Sequence, residues 1–224
     1  AVQVIEVKGE AGFHVARARN LGAQAASAAW LMFVDADISL APGFVASIRS
    51  LLVPGHYLRP LPVTLDTWGT HLVAKCNFLA LGGYDEVLRD WGGEDDDLYF
   101  RLGTFARCKP ANFAGGMLSA LTHDDVARTR FFSECDRWLS QRANALYLHV
   151  KYDLTLLSGG QVPDQSVLRA VYDEARRVVH GRPVTGKIRR LGPLRQLLQR
   201  GHVVAHGAVR RRHHRRRPGH DVVA

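Results

Sequence analysis

Four consecutive acids, Glu94-Asp95-Asp96-Asp97, stand between a Trp91-Gly92-Gly93 turn and an apolar run through Leu98, Tyr99, Phe100 and Leu102. Adjacent carboxylates repel one another, so a chain that keeps them together gives them cations, hydroxyls or a helix N-terminus to meet. Glycines reach backbone conformations closed to other residues and let a ligand approach closely. The acids then fall in the first turn of a helix, where the dipole favours negative charge. Alone, such a run fits a solvated, well-capped helix start better than a site.

A second acidic pair changes that balance. Asp35-Ala36-Asp37 follows the apolar run Trp30-Leu31-Met32-Phe33-Val34 and precedes Ile38-Ser39-Leu40-Ala41-Pro42-Gly43. A short continuous apolar run bounded by turn signals reads as a buried strand of a parallel sheet. Carboxylates at the C-terminal end of such a strand sit where open α/β sheets bind ligands. Acids spaced i, i+2 at a strand end can both reach a hard divalent cation, which is typically shared with substrate phosphates. The plainer alternative is an Asp that caps the next helix, with Pro42 at the first helical position.

Taken together, Phe33-Val34-Asp35-Ala36-Asp37, Phe78-Leu79-Ala80-Leu81-Gly82-Gly83-Tyr84-Asp85-Glu86 and Trp91-Gly92-Gly93-Glu94-Asp95-Asp96-Asp97-Leu98 resemble the GT-A glycosyltransferases. The nearest likeness is to the C-terminal catalytic region of the β-1,4-galactosyltransferases and to related bacterial family 2 enzymes. It covers roughly Val2 to His123 and implies a Rossmann-like nucleotide-sugar transferase fold, an inverting displacement and a manganese-type divalent cation. The same likeness implies that the strand gripping the nucleotide lies ahead of Val2.

Carried over motif by motif, the resemblance implies Asp37 as a direct metal ligand and Asp35 as its neighbour facing metal or ribose. It implies Asp95 as the catalytic base, Glu94 and Asp96 as holders of acceptor hydroxyls, and Trp91 with Gly92 and Gly93 as part of the sugar platform. His123, in Leu121-Thr122-His123-Asp124-Asp125, matches the family's histidine metal ligand. The galactosyltransferases place a methionine ligand three residues before that histidine, and this chain has Ala120 there. Coordination must therefore differ, through water or Asp124.

The implied chemistry calls for these residue types. A nucleoside diphosphate leaves with developing negative charge that a divalent cation stabilises as a Lewis acid. An acceptor hydroxyl is a poor nucleophile and loses its proton as the bond forms, which requires one positioned carboxylate base. Attack opposite the leaving group, through an oxocarbenium-like state, inverts the anomeric centre.

The elements that must hold these residues alternate along the chain. Val2–Val7 reads as a strand, Phe13–Ala29 as a helix, Trp30–Val34 as the motif strand and Pro42–Leu52 as a helix. His71–Lys75 reads as a strand leading into a short helix that ends at Gly82-Gly83. Asp95–Phe105, Phe131–Tyr152 and Gln165–His180 read as further helices. Arg17 and Arg19 fall on the first helix, facing solvent or a phosphate. Alternation of this kind predicts an α/β fold with a mostly parallel sheet flanked by helices.

Composition agrees: 224 residues with 46% hydrophobic content suit one α/β domain with an appendage. Three cysteines (Cys76, Cys108, Cys135) form no close-spaced pair, which points away from a disulfide framework or zinc site and towards a reducing compartment. No apolar run approaches the length of a membrane span. The expected domain covers 1–181, and 182–224 forms a basic, partly amphipathic or disordered tail. That tail holds twelve Lys and Arg against Asp221 alone, so it carries +11 of a chain whose net charge is +9.

Leu191, Leu194, Leu197 and Leu198 interleave with the tail's basic residues, as in an interfacial segment. The expected partners are therefore a UDP-sugar, a glycan or lipid-linked acceptor, and an anionic membrane surface, with nucleic acid as the rival polyanion. The expected location is cytoplasmic, peripheral at the inner face of the membrane. Two other classes fit the same residues: a catalytically inactive GT-A domain that binds carbohydrate or acts as a scaffold, and a membrane or nucleic-acid binder working through the tail.

Overall fold

Trp30–Phe33 forms strand β1, and its alternation of half-buried and buried residues shows that the two sheet faces are covered unequally. The computed structural model describes residues 2–9, 12–121, 124, 126 and 130–181. In chain order these contain α1 (Val15–Ala25), β1, β2 (Ile38–Leu40), α2 (Phe44–Ile48), β3 (His56–Leu61), β4 (His71–Ala74), α3 (Lys75–Ala80), α4 (Glu94–Thr104), β5 (Lys109–Ala114), β6 (Leu118–Ala120), α5 (Arg137–Leu157) and α6 (Gln165–Val179). The chain divides into two compact units, Ala1–Gln141 and Arg142–Ala224.

In the first unit the strands run in the order β1-β4-β3-β5, with β2 and β6 as a separate pair. The expected α/β layering is present, but the sheet is mixed: β4 is antiparallel to both β1 and β3, and only β3 and β5 are parallel. Connection type explains the difference. The link from β3 to β4 over residues 62–70 contains no helix and cannot make the crossover that parallel neighbours need, whereas α3 and α4 lie between β4 and β5. Val2–Val7, expected as a strand, has no ladder partner among the described residues, and Val2 and Val4 are exposed.

Side-chain alternation assigns each face its own core. Leu31, Phe33, Tyr57 and Val73 meet Ala16 and Ala23 of α1, Phe78 of α3 and Leu98, Tyr99 and Leu102 of α4. Leu58, Leu72 and Phe113 meet Phe44 and Ile48 around α2 on the opposite face. The helices that carry α1 and the acidic motif are thus packed against the same side of the sheet.

The acidic run starts α4, as its sequence implies. Gly93 is the N-cap with φ 94°, preceded by Gly92 at φ 89°, a region where a side chain would be strained. Asp97 is not part of the exposed acidic surface. It is fully buried, and Arg101 one turn later donates to it from Nε at 2.7 Å while Arg101 Nη1 donates to Leu81 O at 3.0 Å. This buried pair clamps α4 to the turn after α3 and fixes the rotation of the helix, and so the direction of Asp95.

The second unit is described over residues 142–181, where Ala143, Leu146, Tyr147 and Val150 of α5 and Leu168, Val171, Tyr172 and Ala175 of α6 are buried. Tyr147 meets Tyr172 edge-on at 5.5 Å. The expected basic tail, 182–224, lies outside the described residues. No disulfide joins the three cysteines, of which Cys108 is buried and Cys76 and Cys135 are exposed.

Candidate active site

Both acidic motifs point at one glycine. A β-carbon at Gly69 would lie 2.9 Å from Asp95 Oδ2, 3.2 Å from Arg19 Nη2 and 3.3 Å from Asp35 Oδ2. Gly69 lies in the link before β4, Asp35 follows β1, Asp95 lies in the first turn of α4 and Arg19 sits on α1. Four segments distant in sequence therefore converge, and both carboxylates lie against the side of Gly69 where a side chain would project.

Arg19 joins the motifs. It donates from Nη2 to Asp35 Oδ1 at 2.6 Å and from Nη1 to Asp95 Oδ1 at 3.1 Å, and Glu94 Oε1 lies 3.6 Å from Nη1. Its side chain is 13% exposed, so it is neither solvated nor open to a phosphate as its helix position suggested. Burial works against its charge, and Tyr84, Asp95, Glu94 and Asp35 outweigh that penalty and raise its pKa well above the usual value.

Tyr84 donates from its hydroxyl to Asp95 Oδ1 at 2.9 Å, and burial first of all pushes its phenol well above the usual range, keeping it a donor. Asn20, beside Arg19 on α1, holds Tyr84 through its backbone: Nδ2 donates to Tyr84 O at 3.0 Å and Oδ1 accepts from Tyr84 N at 2.8 Å. A β-carbon on Gly83 would fall 2.4 Å from Asn20 Oδ1, so this clasp requires glycine there.

The loop carrying Gly69 is fixed from below. His71 Nδ1 lies 3.0 Å from Gly69 O; a carbonyl can only accept, so Nδ1 bears the proton. Tyr99 donates to Trp68 O at 2.8 Å. Burial pushes the His71 pKa down to about 3, with Arg19 and Arg59 adding to the effect, so the imidazole is neutral. Arg59 lies 4.3 Å from the Trp68 ring and 4.1 Å from the Tyr99 ring, stacking the loop against the sheet.

Placement of the remaining expected residues is mixed. Glu94 reaches the cluster through Arg19. Asp96 points the other way, accepting from Trp68 Nε1 at 3.1 Å, and burial raises its pKa. Trp91 is held through its backbone by the Ser140 hydroxyl, which donates to Trp91 O and accepts from Trp91 N, both at 2.8 Å. The Arg137 guanidinium lies 4.0 Å from the centre of the Trp91 ring.

Asp35 and Asp37 occupy a tight turn closed by Ile38 N donating to Asp35 O at 3.1 Å, and this turn leads into β2 rather than capping a helix. His123 lies outside the described residues. Among the described residues, no three His, Cys, Asp or Glu side chains group closely enough to hold a metal ion.

Glu94 supplies a solution test of this geometry. Burial, with Asp95 adding to it and Arg19 opposing, lifts its pKa from the ordinary 4.5 to about 7. The folded state thus binds this proton more tightly than the unfolded chain. The corresponding stability is present in full below pH 4.5 and is lost as pH rises through about 7. Urea unfolding of wild type and Glu94→Gln across this window is expected to show the slope flattened in the variant. Parallel slopes would contradict the buried setting of Glu94.

Sequence reasoning overlooked Gly69 and Trp68 and gave Arg19 no link to the acids; Tyr84 lay within a recognised motif without a role. Only the adjacency of Gly82-Gly83 to Tyr84 carried a local signal.

Comparison with known proteins falls on part of this site. A family model described as the N-terminal domain of galactosyltransferase matches residues 64–126, which include Gly69, Tyr84 and all four acids of α4. β-1,4-Galactosyltransferase 2 from Mus musculus and that from Homo sapiens are each 30% identical over 115 residues, covering 45% of this chain. The match spans 30% of the length of each of these relatives.

A crystal structure of a Drosophila β-1,4-galactosyltransferase 7 mutant in complex with manganese, UDP-Gal and xylobiose aligns with a TM-score of 0.43 and 18% identity, over 58% of this chain and 60% of that one. Over part of its length, including the segment that carries Gly69 and Asp95, the chain therefore resembles galactosyltransferases.

Proposed function

We propose that this chain carries the catalytic centre of an inverting glycosyltransferase that moves a hexose or N-acetylhexosamine from a UDP-sugar to a hydroxyl of a glycan or lipid-linked acceptor. The observation that carries this reading is the convergence of Asp35 and Asp95 on Gly69, of which Gly69 and Asp95 lie in the segment matched by the galactosyltransferase family model. A strand-end acid on the donor side and a helix acid on the acceptor side are the two groups such a displacement requires.

Asp95 is the base in this reading. Its Oδ1 is occupied by Arg19 and Tyr84, and its Oδ2 faces the gap at Gly69. As the acceptor oxygen bonds to the anomeric carbon, its proton passes to Asp95 Oδ2. The bond from that carbon to the β-phosphate oxygen breaks, and UDP departs with the electron pair. In this reading Glu94 and Asp96 accept hydrogen bonds from acceptor hydroxyls, Asp96 exchanging its contact with Trp68, and Trp91 offers a ring to a sugar face.

The donor side suits a hard divalent cation. Asp37 offers carboxylate oxygens at a strand end, and Leu121 N donates to Asp37 O at 2.9 Å, which brings the chain beside Asp37 two residues before His123. Asp37 and His123 are the residues that would hold manganese or a similar ion, with Asp35 beside them. When bound, such an ion neutralises charge developing on the diphosphate. The basic stretch 182–224 suits contact with anionic lipid at a cytoplasmic membrane face, with nucleic acid the weaker fit.

Calorimetry of UDP binding with and without manganese tests the donor site. Binding is expected to depend on manganese and to weaken at least about tenfold in Asp37→Asn, since even outer-shell changes at metal sites cost that much. Equal affinity in wild type and variant would remove Asp37 as a ligand. No binding in either condition would favour a carbohydrate-binding or scaffold role.

A further inference from the structure

We propose that Arg19 is a positioning residue for the transfer step: one guanidinium holds Asp35 of the donor motif and Asp95 of the acceptor motif in a single frame, fixing Asp95 Oδ1 so that Oδ2 stays free to take the proton. This rests on the glycosyl-transfer reading above. The geometry is specific. Separate nitrogens of the same fork reach Asp35 at 2.6 Å and Asp95 at 3.1 Å, and both carboxylates turn their other oxygen towards Gly69. Tyr84 adds a second donor to the same Oδ1 of Asp95.

The surrounding elements make this frame rigid. Asn20, the next residue on α1, clasps Tyr84 N and O, so adjacent residues of one helix set both donors to Asp95 Oδ1. The Arg101–Asp97 clamp independently fixes the rotation of α4 beneath Asp95. An ion pair serving stability alone would not need two carboxylates from opposite motifs, each with one oxygen left against a residue lacking a side chain. A planar fork can serve two carboxylates at once, whereas an ammonium is a compact point charge.

The test uses the full chain with UDP-galactose as donor and N-acetylglucosamine or xylobiose as acceptor, reading UDP release beside UDP affinity in manganese. Arg19→Ala is expected to lower kcat about a hundredfold, the loss typical of a misplaced reacting group. UDP affinity should fall far less, and added guanidinium at non-denaturing concentration should restore part of the rate. Arg19→Lys, with circular dichroism and melting as folding checks, is expected to lose about tenfold in kcat.

Wild-type kcat in a folded Arg19→Lys or Arg19→Ala variant would overturn the proposal. So would kcat and UDP affinity falling in parallel with no rescue by guanidinium. A wild-type chain that binds and turns over no donor sinks the glycosyl-transfer reading and this inference with it. An active wild type with an equally active variant sinks this inference alone.

Discussion

Asp95→Asn is expected to lower sugar transfer by about 10²–10⁴-fold while leaving UDP affinity in manganese nearly unchanged. Asparagine keeps the shape of the side chain and an oxygen that can accept from Arg19 and Tyr84, but it has no basic carboxylate to receive the acceptor's proton. The site tolerates this exchange because Asp95 is 8% exposed and its two donors, Arg19 Nη1 and Tyr84 Oη, need only an acceptor atom. The check is steady-state UDP release with UDP-galactose beside calorimetry of UDP binding. A variant as active as wild type would remove Asp95 from the reaction. Equal losses in rate and in UDP affinity would instead mark Asp95 as a donor-site residue.

Gly69→Ala is expected to produce the second large loss, about a hundredfold in transfer, with little change in melting temperature. The added methyl carbon would stand 2.9 Å from Asp95 Oδ2 and 3.3 Å from Asp35 Oδ2. Both are ends of side chains and not backbone, so the protein can accommodate the methyl group by moving the carboxylates that the reaction needs in place. Gly69 is not among the glycines of positive φ, so the substitution adds no backbone strain. Unchanged activity would show that the gap between the two carboxylates is not where the reacting atoms sit. A large fall in melting temperature would show that the glycine serves packing.

How legible the molecule was depended on how local each determinant is. The helix carrying the acids began within one residue of its expected start, at Glu94, because glycines, a dipole-matched acidic turn and the Leu98–Leu102 spacing are all local signals. β1 was legible for the same reason. β3 and β5 were not recognised: His56–Leu61 contains Pro60 and Lys109–Ala114 contains Pro110, and proline argues against a strand read from pattern alone. Strand direction followed from connection geometry, which periodicity does not encode.

The sequence by itself determined which residues can do chemistry here: two acidic motifs with the residue types for holding a cation and removing a proton. Tertiary structure alone decided which of them meet. Asp97, indistinguishable from its neighbours in sequence, is spent on Arg101 because α4 turns that residue into the core. Asp96 is turned to Trp68, and only Asp95 faces Asp35 across Gly69. Arg19, read as a solvated or phosphate-facing residue on its helix, proved to be the link between motifs. The physical reason is burial: a charged side chain excluded from water must find partners in space, and those partners came from strands and helices distant along the chain.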